Sequence, residues 1–443
     1  MGPLVSLLLL LLTPAAVPGH GQVHVQSSRG DTGLVPALRL RTEQADNAAQ
    51  YAGYQVLRVN VDSNGTLDLL RTYEDRPGVD FWTPISPLVP TVDVMVSPDV
   101  RSELTRRLKD SGGSYGVNIG NVQDAIVRQN PIPSPFYLEL LEGRQGYQLT
   151  WKAYHRLAVH HQYMDYVEHE YRGLCSTFSI GISTEGRNVK GIRCGLGERE
   201  IWIDGGIHAR EWISPAVVSY LVKDFSATSY KEQDILKAFT IYMIPVLNPD
   251  GYEYTHTGRR MWRKTRSRTP GSSCVGADPN RNFGYHWGEA GTSTNPCSDV
   301  YPGSRPFSEP ETRGVRDFLL QHKNKMEMYI SFHSYSQMLF VPYGHGTERP
   351  SDYDELLRVA QKGAAALQAA GGPAFRVGQA SRLLYAASGG SDDWAKAKAN
   401  IKYSFTFELR DKGFNGFLLP SSLIEQSGRE TAAAVKAMIR AIL

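Results

Sequence analysis

The sequence predicts an α/β domain with a mixed central sheet and helices on both faces, preceded by a smaller α+β unit. Three observations carry this expectation. From about residue 150 onward, short apolar strand-like runs alternate with long helical segments, which is the pattern of strands interleaved with covering helices. Residues 50 to about 128 compress strand and helix signals into a short length that ends at Asn130-Pro131-Ile132-Pro133-Ser134-Pro135, a proline-rich stop. The chain has 443 residues, enough for more than one folding unit. Its 41% hydrophobic and 21% charged content is ordinary for a globular protein, and 48 Lys+Arg against 45 Asp+Glu leaves a net charge of +3, which favours no polyionic partner.

The first element is Met1-Gly2-Pro3 followed by Leu4-Val5-Ser6 and an unbroken leucine run from Leu7 to Leu12. It reads as a secretory signal over residues 1–20: the apolar stretch is too short for the roughly 30 Å of a bilayer core, and small residues follow it. No later segment is apolar for long enough to span a membrane. Residues 21 to about 48 are polar and aperiodic. A strand is expected over 53–59, the start of a short helix at Leu67, a second strand over 92–96, and a helix through Leu108 opened by Ser97-Pro98-Asp99. A further helix is expected over 122–129. Beyond it, Leu141-Glu142-Gly143-Arg144-Gln145-Gly146 is a polar stretch whose Arg144 suits a trypsin-like protease.

Secretion exposes Cys175, Cys194, Cys274 and Cys297 to an oxidising compartment, so two disulfides are expected. Pairing neighbours closes loops of about twenty residues, worth ~3 kcal/mol each in the chain-entropy model, although three connectivities remain open. A four-cysteine zinc site is disfavoured because no C-x-x-C pair occurs. Asn64-Gly65-Thr66 is a glycosylation sequon placed in a polar turn.

In the larger unit, strands are expected over 200–205, 239–246, 328–332 and 403–408, and helices over 214–225, 353–370 and 429–443. Chemistry gathers where such strands end. The first of them runs into Gly206-Ile207-His208-Ala209-Arg210-Glu211-Trp212, and His-x-x-Glu beside a strand end lets an imidazole and a carboxylate converge on one ion. By themselves the two also suit a surface pair. A third ligand candidate, His333, follows the apolar run Ile330-Ser331-Phe332. The cluster Arg259-Arg260-Met261-Trp262-Arg263-Lys264-Thr265-Arg266 alone admits a polyanion-binding reading.

His-Ala-Arg-Glu-Trp at 208–212, Asn-Pro-Asp-Gly-Tyr at 248–252, Trp-Arg-Lys-Thr-Arg at 262–266, Asp-Pro-Asn-Arg-Asn-Phe at 278–283, Ser-Phe-His-Ser-Tyr at 331–335 and Phe-Thr-Phe-Glu-Leu-Arg at 405–410 occur in this order. Together they closely resemble the pancreatic-type zinc metallocarboxypeptidases over about 300 residues. The resemblance implies the carboxypeptidase-like α/β fold for 145–443 and a ferredoxin-like activation propeptide over 21–144, with its folded core at about 50–128. It also implies synthesis as a zymogen that its own propeptide inhibits and that proteolysis near Arg144 activates.

Residue by residue, the resemblance makes His208, Glu211 and His333 the ligands of one Zn2+. Three ligands leave a fourth position open for water and the substrate carbonyl, as at a catalytic zinc. Glu408 matches the catalytic carboxylate that moves the water proton to the leaving amine. Arg263 matches the residue that stabilises the developing oxyanion. Asn280 and Arg281 match the pair that grips the terminal carboxylate, a task suited to the planar guanidinium fork, and Tyr385 matches a mobile tyrosine that closes over the terminal residue. Arg210, Tyr335 and Phe417 match neighbouring substrate contacts.

Specificity falls on Ser391-Asp392-Asp393-Trp394. Both aspartates suit a helix N-terminus, where carboxylates stabilise the macrodipole by ~0.3–1 kcal/mol, and that role is assigned to Asp393. Asp392 matches the base of the specificity pocket, where relatives that remove Lys or Arg carry Asp and those that remove apolar residues carry an apolar side chain. The chain therefore resembles carboxypeptidase B most in its pocket, with Gly344 and Ala380 as candidate pocket-wall residues that allow a mixed preference. The expected activity is release of C-terminal Lys or Arg from peptides or proteins by a secreted monomer. The alternatives are a carboxypeptidase A-like apolar preference, or a catalytically silent binding protein of the same fold. An endopeptidase reading fails for want of H-E-x-x-H, and nothing in the chain suggests a nucleotide or nucleic-acid partner.

Overall fold

A computed structural model describes residues 50–132, 134, 146–227 and 230–443. The expected signal at 1–20, the polar lead-in and Arg144 lie outside the described residues.

The smaller unit runs β1 (Gln55–Asn60), α1 (Asn64–Arg71), β2 (Val79–Phe81), β3 (Thr91–Val96), α2 (Pro98–Asp110), β4 (Tyr115–Ile119) and α3 (Val122–Gln129). Its sheet order, β2-β3-β1-β4, with antiparallel pairing throughout, is that of a ferredoxin-like β-α-β-β-α-β unit. Leu57, Val59, Val92, Val94 and Val96 pack with Leu104 and Leu108 of α2. Residue Asn64 is exposed, but it opens α1 rather than sitting in a turn between strands: the Ser63 side chain accepts from the Thr66 N–H and caps the helix there.

The larger unit contains α4 (Leu157–Glu170), β5 (Cys175–Ile182), β6 (Asn188–Gly195), β7 (Arg199–Gly205), α5 (Ile213–Ala227), α6 (Gln233–Ala238), β8 (Phe239–Ile244) and α7 (Pro249–Thr257). It continues with α8 (Pro310–His322), β9 (Met326–Ser334), β10 (Met338–Val341), α9 (Tyr353–Ala369), β11 (Arg376–Gln379), α10 (Ala380–Leu383), α11 (Ser391–Ala397), β12 (Tyr403–Leu409) and α12 (Ile424–Arg440). Eight strands form one mixed sheet in the order β11-β10-β12-β9-β7-β8-β6-β5. Its centre is parallel, β12 to β9 to β7 to β8, and β6 and β5 add antiparallel strands at one edge.

Alternation along β7 shows why both faces are covered. Ile201 and Ile203 join the core under α5, α9 and α12, whereas Trp202 between them joins the opposite core with Val315 and Leu319 of α8 and Trp394 of α11. Helix α9 buries Leu356, Val359, Ala360, Gly363 and Leu367, one face of a 3.6-residue repeat. It lies so close to α12 that a Cβ on Gly363 would stand 2.6 Å from the Met438 sulfur. Cys175 and Cys194 are directly opposed on β5 and β6 and form a disulfide, and Cys274 bonds to Cys297, so neighbours pair.

Candidate active site

The C-terminal ends of three adjacent parallel strands, β7, β9 and β12, converge on one place. After β7 the chain turns sharply at Gly206, whose φ of +65° and closeness to Pro215 and the Pro245 carbonyl suit only glycine. That turn delivers His208 and Glu211 ahead of α5. Strand β9 carries His333, and parallel register sets Glu408 of β12 beside it. The Asn-Pro-Asp-Gly-Tyr motif is the brace beneath: Asn248 caps α7 through Gly251 N–H and donates to the Ile207 and Lys264 carbonyls, tying the His208 loop to the Arg263 loop.

His208, Glu211 and His333 are all buried, with their ligand atoms within 4.8 Å of one another. His208 Nδ1 lies 2.8 Å from Glu211 Oε1 and 3.1 Å from His333 Nδ1, which is itself 3.3 Å from Glu211 Oε2. The outer nitrogens have their own partners: His208 Nε2 meets Asp278 Oδ1 at 3.0 Å, and His333 Nε2 meets Ser331 Oγ at 3.2 Å, which donates to Asp204. Acceptors behind both rings leave two Nδ1 lone pairs and a carboxylate aimed at one point, a donor set that fits a cation such as Zn2+. Burial opposes ionisation of Glu211, but the two imidazoles hold its carboxyl well below the usual range.

Arg263 is fixed by Asp278, which accepts from its Nε at 3.1 Å and its Nη2 at 2.8 Å, and its Nη1 lies 3.8 Å from Glu211. Asp278 thus orients both a candidate ligand and the candidate oxyanion donor. Its signal is present in the sequence, since it opens the Asp-Pro-Asn-Arg motif, but the motif alone gives it no role. Burial pushes the Glu408 carboxyl up to about 8; His333 and Arg263 pull it back, and a cation alongside would favour the carboxylate further.

Arg281 donates from Nε to the Gly291 carbonyl at 3.0 Å and from Nη2 to the Tyr385 hydroxyl. The side chain of Asn280 accepts from Ser391 N–H at 2.9 Å, joining the Arg281 loop to the start of α11. There Asp392 is half-buried, and burial together with Asp393 pushes its carboxyl up to about 6, against a Thr406 hydrogen bond. Asp393 does more than face the helix dipole: its carboxylate accepts from Gly344 N–H and from His345 N–H and Nδ1, so it anchors the 344–345 loop. A Cβ on Gly344 would stand 3.8 Å from that of Ala380, which places both at one wall.

Arg210, Tyr335 and Phe417 lie together but face the smaller unit. Arg210, 3% exposed, donates to both Asp80 oxygens at 3.0 Å and stacks on Phe417, and the Tyr335 hydroxyl donates to Asp93 at 3.0 Å. Trp82 packs on Phe417 with ring centroids 5.3 Å apart, and Gln129 accepts from Arg260 Nε at 2.9 Å. Asp80 and Asp93 were invisible as site residues, because a lone aspartate in a short strand carries no local signal.

A zinc carboxypeptidase family model matches residues 160–434, and one for the carboxypeptidase activation peptide matches residues 57–129. The chain belongs to the zinc carboxypeptidases. It is 45% identical to carboxypeptidase B of Astacus astacus over 293 residues, 65% of this chain and 96% of that one. It is 39% identical to carboxypeptidase A2 of Mus musculus over 401 residues, 88% and 94% of the two chains. The crystal structure of thrombin activatable fibrinolysis inhibitor superposes with a TM-score of 0.77 at 33% identity, covering 87% of this chain and 98% of that one. That of carboxypeptidase A from Helicoverpa armigera gives 0.78 at 30%, covering 88% and 98%. This zinc carboxypeptidase is a zymogen with an activation peptide, and its relatives include both A and B types.

Proposed function

We propose that the chain is a secreted, monomeric zymogen whose catalytic unit, 145–443, releases C-terminal Lys and Arg. The observation that carries the basic preference is Asp392, which forms no ion pair with a lysine or arginine among the described residues. Partial burial disfavours a carboxylate that has no cation beside it, and a substrate guanidinium or ammonium removes that cost. The carboxypeptidase B name of the Astacus astacus relative agrees with this reading, and the Mus musculus A2 relative marks its limit.

His208, Glu211 and His333 hold the zinc ion, which when bound supplies Lewis acidity and acidifies water at the site. Asn280 and Arg281 receive the terminal α-carboxylate. The Tyr385 hydroxyl already occupies an Arg281 donor, so substrate entry displaces it and the ring is free to close over the terminal residue. Glu408 accepts a proton from the attacking water on a carboxylate oxygen and returns it to the amide nitrogen as the C–N bond breaks. The Arg263 guanidinium, held by Asp278, donates to the carbonyl oxygen as that oxygen gains charge.

The activation segment, 21–144, inhibits by occupation: Asp80 and Asp93 engage Arg210 and Tyr335, which match substrate contacts. A trypsin-like protease releases it near Arg144; the nearby Arg128 lies in the last turn of α3, where a protease would first have to unwind the helix. Asn64, exposed at the start of α1, is the glycosylation site.

Trypsin-treated protein assayed on matched peptides ending in Arg, Lys, Phe and Leu, with and without a chelator, tests this reading. Chelator-sensitive turnover favouring Arg and Lys is expected. Turnover that survives the chelator contradicts the zinc assignment, and a preference for Phe or Leu contradicts the role of Asp392 alone.

A further inference from the structure

Arg210 faces two carboxylates from different parts of the chain. Its Nη1 lies 3.0 Å from both oxygens of Asp80 in the smaller unit, 3.3 Å from Asp299 Oδ2 and 3.4 Å from the Met261 carbonyl, so one amino group with two hydrogens meets four acceptors. Its Nε, also buried, has no hydrogen-bond partner among the described residues. The Arg210 side chain is 3% exposed, that of Asp80 16% and that of Asp299 46%, so Asp80 makes the deeper pair and Asp299 stands at the rim. Burial pushes the Asp80 carboxyl up and Asp299 adds to the push, against the pull of Arg210. The two acids compete for one guanidinium.

Only one of them leaves on activation. Asp299 lies within the stretch matched by the zinc carboxypeptidase family model, on a loop that the Cys274–Cys297 disulfide ties down and that Lys264 Nζ holds by donating to the Pro296 carbonyl at 2.7 Å. We propose that Asp299 is a specificity-determining residue of the activated enzyme: it takes over Arg210 when Asp80 departs and keeps that subsite near neutral, so that an acidic residue upstream of the scissile bond gains little there. Asp80 shows that a carboxylate fits the place, and Asp299 limits how much the fit is worth. The inference rests on the reading of Arg210 as a substrate contact. Without Asp299 the guanidinium keeps its whole charge, which favours an acidic side chain in the substrate and holds Asp80 more firmly in the zymogen. Because Asp299 is nearly half exposed, solvent screens the pair; each effect is modest and shrinks as ionic strength rises.

The test uses two series of matched peptides, one ending in Arg and one in Leu, that carry Asp or Asn at the first, second or third position before the C-terminal residue. They are assayed at low salt with the activated enzyme and with its Asp299→Asn, Asp299→Glu and Arg210→Gln variants, and basal turnover of each uncleaved zymogen is measured beside them. In Asp299→Asn the Asp/Asn ratio of kcat/KM should rise roughly two- to fivefold at one position, and basal turnover of its zymogen, relative to the same variant after cleavage, should fall by a similar factor. Asp299→Glu, which keeps the charge, should leave the ratio near that of the unaltered enzyme, and Arg210→Gln should lower it. A substitution that only disturbed the loop would loosen the smaller unit and raise basal turnover without telling Asp from Asn. An unchanged ratio in Asp299→Asn, or an equal rise in Asp299→Glu, overturns the proposal. A ratio that Arg210→Gln leaves unmoved at every position removes Arg210 as a substrate contact and the proposal with it. Each ratio compares peptides with the same C-terminal residue, so the outcome stands apart from the preference assigned to Asp392.

Discussion

The candidate metal cluster, at the ends of central strands, and the candidate specificity pocket, at the start of α11, are built on opposite principles. Around His208, Glu211 and His333 every outer atom has a partner: Asp278 and Ser331 stand behind the imidazoles, and the Ser334 N–H donates to Glu211 at 3.1 Å. The candidate pocket instead offers Asp392, a carboxylate with no cation of its own among the described residues, while its neighbour Asp393 is fully used by the 344–345 loop. The lesson is that a catalytic centre is pre-satisfied so that its geometry does not change during reaction, whereas a specificity site keeps a deficit that one class of substrate fills.

The strongest break in this comparison comes from the catalytic side. Glu408→Gln should keep zinc and fold while turnover falls by roughly two to four powers of ten, the usual worth of a general acid–base; metal analysis and kcat on the same sample check it, and undiminished kcat removes the residue's role. Next, Asp80→Asn in the uncleaved zymogen leaves the nearly buried Arg210 without its carboxylate in the smaller unit. A charged hydrogen-bonded pair contributes about 1.5–3 kcal/mol, so peptide turnover before proteolysis should rise roughly ten- to hundredfold.

A smaller effect separates the two regions by pH. The Asp392 carboxyl is pushed up to about 6, so the charged form that attracts Lys or Arg is present above that pH and lost as pH falls through it. The ratio of kcat/KM for Arg over Leu peptides should therefore drop about tenfold between pH 7 and pH 5, because changes at the metal cluster cancel in the ratio; a flat ratio contradicts it. The least effect on either site is expected from replacing Cys175 and Cys194 by Ala. The bridge ties the edge strands β5 and β6, so stability should fall by about 3 kcal/mol in a denaturant titration while the Arg/Leu ratio stays unchanged.

The candidate catalytic centre is legible because its residues lie in short motifs at strand ends, where local sequence and position coincide. Boundaries shift modestly: His333 lies within β9 rather than just beyond an apolar run, whereas Glu408 lies in its strand as expected. Strands β2, β4, β10 and β11 escaped notice because they are short and lack clean alternation. So did β5 and β6, whose serines, glycines and threonine dilute the apolar signal. Harder still were the contacts made across the chain. Asp80 reaches Arg210 from 130 residues away and Asp93 reaches Tyr335 from 242, and no pattern in one sequence announces such a pair. Asp393 is legible from its place at a helix start, which the structure keeps, and only the packed loop reveals that it also holds His345.

The central claim is that the uncompensated Asp392 sets the substrate class. Its most direct test is kcat/KM for matched Arg and Leu peptides with the activated enzyme and with Asp392→Ile. The account predicts that the Arg/Leu ratio favours Arg in the first and falls by roughly two to three powers of ten in the second, from the cost of an unpaired buried charge. An unchanged ratio, or a preference for Leu before any substitution, would contradict it.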